Sequence, residues 1–197
     1  DSLYFNNNSI GLNNTITGVL DLSNSINIEK VFGWGGYYNG GAGNSITNII
    51  FNSNDNYTLT TLRIDRNPIS NIDLTKLYAL ETLSLTRTPL NSLDLSSNAM
   101  LLQLDFGAMN YVYDTLTYTA PISNIDLSAN TLLTSVRFWD TQITSLDVSN
   151  HPDLHTLDVR RNQLTLINTN GAINLVFLNC FKNQLTSLDV STNINLY

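Results

Sequence analysis

A motif of about 21 residues repeats along most of this chain and limits its fold more than any other feature. The repeats start at Ile69, Leu90, Ile122, Ile143, Leu164 and Leu185. Their spacing is constant except for the longer step from Leu90 to Ile122, which contains an insertion at 111–121. An earlier and slightly longer repeat starts at Ile46. Because a unit this short cannot enclose a core alone, the pattern predicts coils stacked into a solenoid.

Each repeat has two halves, and both alternate apolar and polar residues as β-strands do. The first half reads L-x-x-L-D-[LV]-S, for example at 90–96 and 143–149. The second half reads L-x-x-L-x-L-x-x-N-x-L, for example at 154–164 and 175–185. The two leucines of L-x-L lie on one face of a strand, so stacked coils should pair these strands in parallel around a continuous core. We expect the recurring Asn, as in Asn162, to bond backbone groups of its own coil and the next one.

These motifs resemble the consensus of the leucine-rich repeat superfamily from about Ile46 to the end of the chain. The phrasing LTSLDVS…N…L resembles short repeats in secreted and surface proteins of Bacteroidetes-type bacteria and, more distantly, internalin-type repeats. The resemblance implies a mainly β fold, a right-handed leucine-rich-repeat solenoid with one parallel sheet on the strand face. Since each repeat is too short for a strand, two turns and a helix, we expect an extended or irregular convex side with little helix.

We expect residues 1–197 to form a single solenoid domain, with divergent coils at 1–45 and regular repeats at 46–197. In the divergent part, Gly33 stands where the strand pattern requires an apolar residue. The chain ends at Tyr197, where a next strand is due, and no polar cap is visible there. The sequence therefore predicts that this chain is a fragment of a longer polypeptide.

Composition argues against several classes of function. Lys and Arg number 9 against 16 Asp and Glu, a net charge of −7, which argues against nucleic acid as the partner because phosphate binding needs a basic surface. No apolar run reaches the roughly 18–20 residues that span a bilayer. The single cysteine, Cys180, falls on a core position and has no partner for an intrachain disulfide. His151 and His155 lie across a turn without further ligands nearby, so neither a zinc site nor another cofactor is expected.

The repeat register directs a set of charged and aromatic side chains outward on the strand face. Eight of the nine basic residues fall on this face or its rim, and only Lys76 lies elsewhere. Because Trp, Tyr and Arg dominate the energetics of many interfaces, we predict a ligand-binding surface here. Its residues are Arg63, Arg137, Trp139, Asp158, Arg160 and Phe181. The alternative is that the exposed positions of a solenoid simply carry polar residues.

Two insertions form a second candidate patch. The segment 34–44 is rich in glycine with adjacent aromatic residues, and the segment 111–121 carries three tyrosines. Both follow a strand, so both should emerge on one edge of the solenoid, where insertions of repeat proteins often belong to the binding face. The aromatic residues of this patch are Trp34, Tyr37, Tyr38, Tyr111 and Tyr113. Surface loops that the fold merely tolerates would give the same pattern.

On the opposite side, an aspartate recurs at the same position of most repeats. This acidic column comprises Asp21, Asp73, Asp94, Asp126, Asp147 and Asp189. Carboxylates stacked about 5 Å apart repel each other, so we expect each to accept hydrogen bonds from the serine that follows it. The alternative is a row of weak calcium sites at Asp94, Asp126 and Asp147, although calcium takes six to eight oxygen ligands.

Since no catalytic constellation is visible, the sequence predicts that the chain is not an enzyme. It predicts non-enzymatic recognition by a secreted or cell-surface bacterial protein, which binds a protein or peptide through the strand face. Two alternatives stay open. Trp and Tyr side chains stacked on sugar rings would make the chain a glycan-binding surface protein, and a solenoid without a ligand would be a structural spacer of an adhesin.

Overall fold

The structure is a computed structural model that describes residues 2–4, 16–25, 27–33, 44–52, 58–108 and 120–197. Its principal feature is a sheet of eight strands, in which every neighbouring pair is parallel. In order across the sheet, the strands are β1 (Ser2–Tyr4), β3 (Lys30–Phe32), β5 (Thr61–Arg63), β6 (Thr82–Thr86), β7 (Gln103–Gly107), β8 (Ser135–Trp139), β10 (Thr156–Asp158) and β12 (Phe177–Asn179).

The register of this sheet follows the spacing of the repeats. Leu83 is aligned with Leu104, one repeat further on, and Leu104 is aligned with Val136 across the longer step that contains the insertion. The predicted parallel sheet is therefore confirmed. It extends into the divergent N-terminal part, because β1 pairs with β3 and β3 with β5. Gly33 is buried there, and its N–H donates to the Arg63 carbonyl at 2.7 Å.

The opposite, convex side carries short extended segments. β2 (Thr17–Asp21) pairs with β4 (Ser45–Ile50), and β9 (Ser145–Asp147) pairs with β11 (Leu166–Asn168), both in parallel. The residues that the structure describes include no helix. Among them there is consequently no helical segment of the length and apolarity that crossing a membrane requires. The expected mainly β solenoid with an extended convex side is thus confirmed.

The apolar residues of the repeats form one continuous core between the two sides. The strands β5, β6, β7, β8 and β10 each contribute both apolar residues of the L-x-L pattern, and Leu157, for example, is 0 % exposed. In two adjacent coils the second position is phenylalanine, and the rings of Phe106 and Phe138 meet edge to face with centroids 6.4 Å apart. Such a contact adds about 0.5–1.5 kcal/mol to the effect of burial. Cys180 lines the same position next to β12, where burial raises the pKa of its thiol.

The recurring Asn closes each coil against its neighbour. The side-chain amide of Asn162 donates to the carbonyls of Val159 in its own coil and Phe138 in the preceding coil, both at 2.8 Å. Asn67 and Asn183 bond in the same way. The prediction that this Asn bonds the next coil was wrong, since it bonds the preceding one. The reason is that β10 ends before its ladder reaches the Phe138 carbonyl, which the Asn162 amide then satisfies.

A second polar column lies inside the convex turns, and the repeat pattern alone did not single it out. The side-chain amide of Asn98 donates to two carbonyls of the preceding coil at 2.9 and 3.1 Å. Asn130 and Asn193 make equivalent bonds. The signal for this column is an Asn four residues after the aspartate, in LDLSSN, IDLSAN and LDVSTN. His151 holds the same position, and its burial lowers the pKa of the imidazole.

Candidate ligand-binding face

The sheet brings five of the six predicted face residues together on or directly after three adjacent strands, β8, β10 and β12. We call these five residues the strand-face cluster. They are Arg137, Trp139, Asp158, Arg160 and Phe181. Arg63 ends β5, three strands from β8 and therefore about 14 Å away at the usual strand spacing, so it lies outside the cluster.

At the centre of the cluster, the guanidinium of Arg160 stacks on the indole of Trp139. The Arg160 Cζ atom lies 4.2 Å from the ring centroid, and Arg160 Nε lies 3.5 Å from Asp158 Oδ1. Cation–π contacts of this kind contribute about 0.5–2 kcal/mol, depending on how far they are removed from water. Both stacked side chains are partly exposed. The stack therefore presents a prearranged surface to solvent.

Asp158 lies beneath this stack and differs from the expectation of an accessible side chain. It faces outward but is only 5 % exposed, because Arg160 and Trp139 contact its carboxyl group. Burial raises the pKa of this carboxyl, and the Arg160 guanidinium opposes the rise. The Trp139 indole N–H also lowers the pKa of this carboxyl, although it forms no hydrogen bond of good geometry. Asp158 is thus placed to hold the stack in position.

A second pair of charged side chains extends the cluster toward β7. Arg137 Nη1 lies 3.5 Å from Asp105 Oδ1, with the side chains 45 % and 21 % exposed. Burial raises the pKa of the Asp105 carboxyl, whereas Arg137 and Arg63 lower it. A partly exposed pair of this length contributes under about 1 kcal/mol to stability. Arg137 is therefore held only weakly by its aspartate.

The rim of the sheet is formed where the chain turns after each strand. Five non-glycine residues adopt left-handed φ angles between 52° and 61° there, namely Arg66, Arg87, Asp140, Arg161 and Lys182. Each precedes the recurring Asn of its coil, or the Thr that takes its place in two coils, and this residue stabilises a conformation that otherwise costs about 1–2 kcal/mol. Arg161 Nε lies 2.5 Å from Asp140 Oδ1, and Lys182 Nζ lies 5.4 Å from the centroid of the Phe181 ring.

A recess of about 100 Å³ opens beside Trp139. Its lining residues are Thr86, Asp105, Phe106, Arg137 and Trp139. The recess exists because Gly107 holds the outward position between Thr86 and Trp139 and contributes no side chain. The sequence pattern did not reveal this recess. The sequence feature that indicates the recess is Gly107, because the aligned positions of the two adjacent strands carry side chains.

The same fold occurs among solved structures of proteins with this type of repeat. The functional domain of InlJ from Listeria monocytogenes, which includes a cysteine ladder, superposes with a TM-score of 0.77 at 29 % identity. The chain is a leucine-rich repeat protein. The superposition covers 92 % of this chain and 36 % of the InlJ chain. The described fold and the InlJ match thus agree with the repeat motifs in the sequence.

Two further leucine-rich repeat structures share the fold. A leucine-rich repeat protein of Leptospira interrogans superposes with a TM-score of 0.68 at 17 % identity over 89 % of this chain and 43 % of its own. Internalin C2 of Listeria monocytogenes gives 0.62 at 20 % identity over 92 % and 76 %. No family model and no curated protein match the sequence. The comparisons support a protein-interaction repeat module with internalin-like similarity.

The second predicted patch falls outside the described residues, which include none of Trp34, Tyr37, Tyr38, Tyr111 and Tyr113. The structure describes the leucine-rich repeat up to residue 108 and again from residue 120. The Ala108 N–H donates to the Trp139 carbonyl at 2.7 Å, and the Ala120 N–H donates to the Asp140 carbonyl at 3.0 Å. The chain therefore leaves and re-enters the repeat beside the strand-face cluster.

The acidic column of the convex side is held by hydrogen bonds within each turn. Asp147 Oδ1 accepts the Ser149 N–H at 2.9 Å, and the same bond to the residue two positions on recurs along the column. Bonds from these Ser and Thr residues lower the pKa of the carboxyls. The expected compensation is thus confirmed. Within the described part of the chain, no three His, Cys, Asp or Glu residues form a group that could hold a metal ion.

Asp147→Asn is expected to shift the thermal midpoint by less than about 2 °C at pH 7, because an amide oxygen can accept the same bond. The hydrogen bonds from Ser149 hold the pKa of the Asp147 carboxyl below its ordinary 3.8. The stability from this charge is therefore present above the ordinary pKa and is lost as the pH falls through the lowered one. The variant should lose less stability than the parent between about pH 5 and pH 2.

Thermal unfolding at several pH values, followed by circular dichroism, measures this difference. A large loss at pH 7, together with stabilisation of the parent by calcium, would contradict the hydrogen-bonded arrangement and favour a metal site.

Proposed function

We propose that this leucine-rich repeat chain is a non-enzymatic recognition module, which binds a protein or peptide through the strand-face cluster. The observation that carries the proposal is the Arg160 guanidinium stacked 4.2 Å from the Trp139 ring centroid, over the buried Asp158. Trp and Arg are among the residues that most often dominate interface energetics. Prearranged side chains also lose little conformational entropy when a ligand binds.

The fold alone does not require these residues. At the position of Asp158, other strands of the sheet carry residues as different as Ser84 on β6 and Asn179 on β12. A buried carboxylate costs free energy, which the Arg160 Nε and backbone N–H, each 3.5 Å from Asp158 Oδ1, offset only in part. The Trp139 indole N–H is also buried without a hydrogen-bond partner among the described residues. Groups that cost stability and cluster on one surface indicate a functional site.

The location of the protein is part of the proposal. We propose that the module forms a single solenoid over 1–197 in a secreted or cell-surface bacterial protein. Support comes from the resemblance of its LDVS repeats to those of secreted and surface proteins, and from the similarity to structures of Listeria and Leptospira proteins. Fractionation of the source cells into cytoplasm, surface and medium tests the location.

Glycan binding is the second candidate, because Trp139 offers an indole of the kind that stacks on sugar rings. Arg160 already covers one face of this indole, so a sugar could use only the other face. The mixture of guanidinium and carboxylate groups around Trp139 favours a polypeptide ligand. A structural spacer, the third candidate, has no need for a Trp–Arg stack above a buried charge.

Trp139→Ala is expected to weaken ligand binding by about 2 kcal/mol, or about 30-fold, while the core beneath stays intact. The immobilised chain is first screened against a peptide-display library and a glycan array, and the affinities of the hits are then measured by surface plasmon resonance. Ser96→Ala, on the exposed convex side, is the control and should leave these affinities unchanged.

Equal affinity of peptide hits for the parent and Trp139→Ala would show that the site lies elsewhere. Glycan hits that require Trp139, without peptide hits, would favour the second candidate. A chain that binds nothing in either screen would favour the spacer.

A further inference from the structure

The strand face carries a net charge opposite to that of the whole chain, which is −7. From β5 to the turn after β12, the outward positions and the rim of the sheet hold seven basic side chains against four aspartates. The basic residues are Arg63, Arg66, Arg87, Arg137, Arg160, Arg161 and Lys182, and the aspartates are Asp65, Asp105, Asp140 and Asp158. An excess of three positive charges on one face of an acidic chain steers anionic ligands toward that face.

In the strand-face cluster and at the adjoining Asp105, the negative charges lie inside and the positive charges lie outside. Asp158 is 5 % exposed, and the Asp105 side chain is 21 % exposed. The side chains of Arg137 and Arg160 are 45 % and 37 % exposed. Each guanidinium meets its aspartate through a single contact at 3.5 Å, so its other N–H donors are unused among the described residues. A ligand therefore meets guanidinium groups first, and their fork geometry matches a carboxylate.

The recess beside Trp139 adds a restriction of size. Its volume of about 100 Å³ is below the roughly 300–1,000 Å³ of small-molecule sites and below the roughly 150 Å³ of a cavity that admits benzene. Phe106 and Trp139 supply apolar walls, and the Thr86 hydroxyl is engaged with Asp65 at 2.6 Å. The space therefore fits one short aliphatic side chain, whereas an aromatic ring would extend out of it.

We propose that the strand face binds an acidic peptide segment, which places a short aliphatic side chain in the recess and a neighbouring carboxylate against Arg137 and Arg160. This inference rests on the proposed function and narrows it to one class of ligand. Arg137 both lines the recess and belongs to the strand-face cluster. The two contacts are therefore within reach of adjacent residues of one peptide.

Selection from a random peptide-display library on the parent chain tests the ligand class. Synthetic copies of the selected peptides are then titrated by fluorescence polarisation. We expect them to share Asp or Glu next to Ala, Val or Leu. Replacing the acidic residue by its amide should weaken binding at least about tenfold, and replacing the aliphatic residue by Trp should weaken it by a similar factor because the ring exceeds the recess.

Two variants with the same change of charge separate a local contact from general attraction. Arg137→Glu should weaken binding of the acidic peptide at least about tenfold. Lys76→Glu, away from the strand face, should change it less than about twofold, because exposed charges beyond a Debye length are screened. Circular dichroism of both variants confirms that each is folded before the affinities are compared.

The outcomes distinguish this inference from the proposed function. Basic or neutral peptides that lose affinity in Trp139→Ala would overturn the acidic class and leave the strand face as the binding site. Equal losses in Arg137→Glu and Lys76→Glu would overturn the arrangement of recess and guanidinium groups. Selected peptides that bind the parent and Trp139→Ala equally, or a library without binders, would overturn the proposed function and this inference with it.

Discussion

Leu157→Ala should lower the free energy of unfolding by about 2–5 kcal/mol, the range for a leucine truncated in a tightly packed core. Leu157 is 0 % exposed at the centre of β10, and its register places it between Val136 and Leu178. Each coil packs only against its two neighbours, so the cavity cannot close without a shift of the ladder. Urea unfolding at pH 7, followed by circular dichroism, measures the loss.

Leu166→Ala is the matched control, because it removes the same atoms from a leucine that is 61 % exposed on β11. Its effect should stay within about 0.5 kcal/mol. If Leu157→Ala cost no more than this control, the core layer at β10 would not be closed. The strand-face cluster would then lack the closed core layer that the structure places beneath it.

The direction of each side chain could be predicted from the sequence because direction depends only on the period of the backbone. The constant spacing of the repeats, with its one longer step, aligns β7, β8 and β10 from the sequence alone, and the structure has the same register. Trp139 and Arg160 were therefore expected on neighbouring coils. The bonds of the acidic column could also be predicted, because Asp147 and Ser149 are two residues apart and need no distant partner.

The burial of each side chain, in contrast, depends on the size of its neighbours across the sheet. The spacing of the repeats does not determine that size. Asp158 faces outward as predicted but is covered by the long side chains of Trp139 and Arg160. The recess arises because the smallest residue, Gly107, lies between Thr86 of the preceding coil and Trp139 of the following one. The bonds of Asn162 were assigned to the wrong coil because they depend on where β10 ends.

Gly107→Ala is expected to cost at least about 3 kcal/mol, although it adds a single methyl group. Gly107 has a φ of +101°, and an added Cβ would overlap the Trp139 carbonyl oxygen and lie 2.8 Å from the Trp139 nitrogen. These are backbone atoms of the adjacent strand. The Trp139 carbonyl also accepts the Ala108 N–H at 2.7 Å, so the strands cannot separate without breaking hydrogen bonds. Urea unfolding of the parent and the variant measures the cost.

Gly18→Ala separates backbone strain from steric overlap, which are the two causes of the cost expected for Gly107→Ala. Gly18 has a φ of +84°, but nothing lies within 4 Å of its added Cβ, so this variant reports backbone strain alone, about 1–2 kcal/mol. The difference between the two variants measures the close approach of β7 and β8 beneath the recess. Equal costs would contradict that approach. Because the same two strands carry Asp105 and Arg137, a wider spacing would also remove the geometry from which the acidic peptide is inferred.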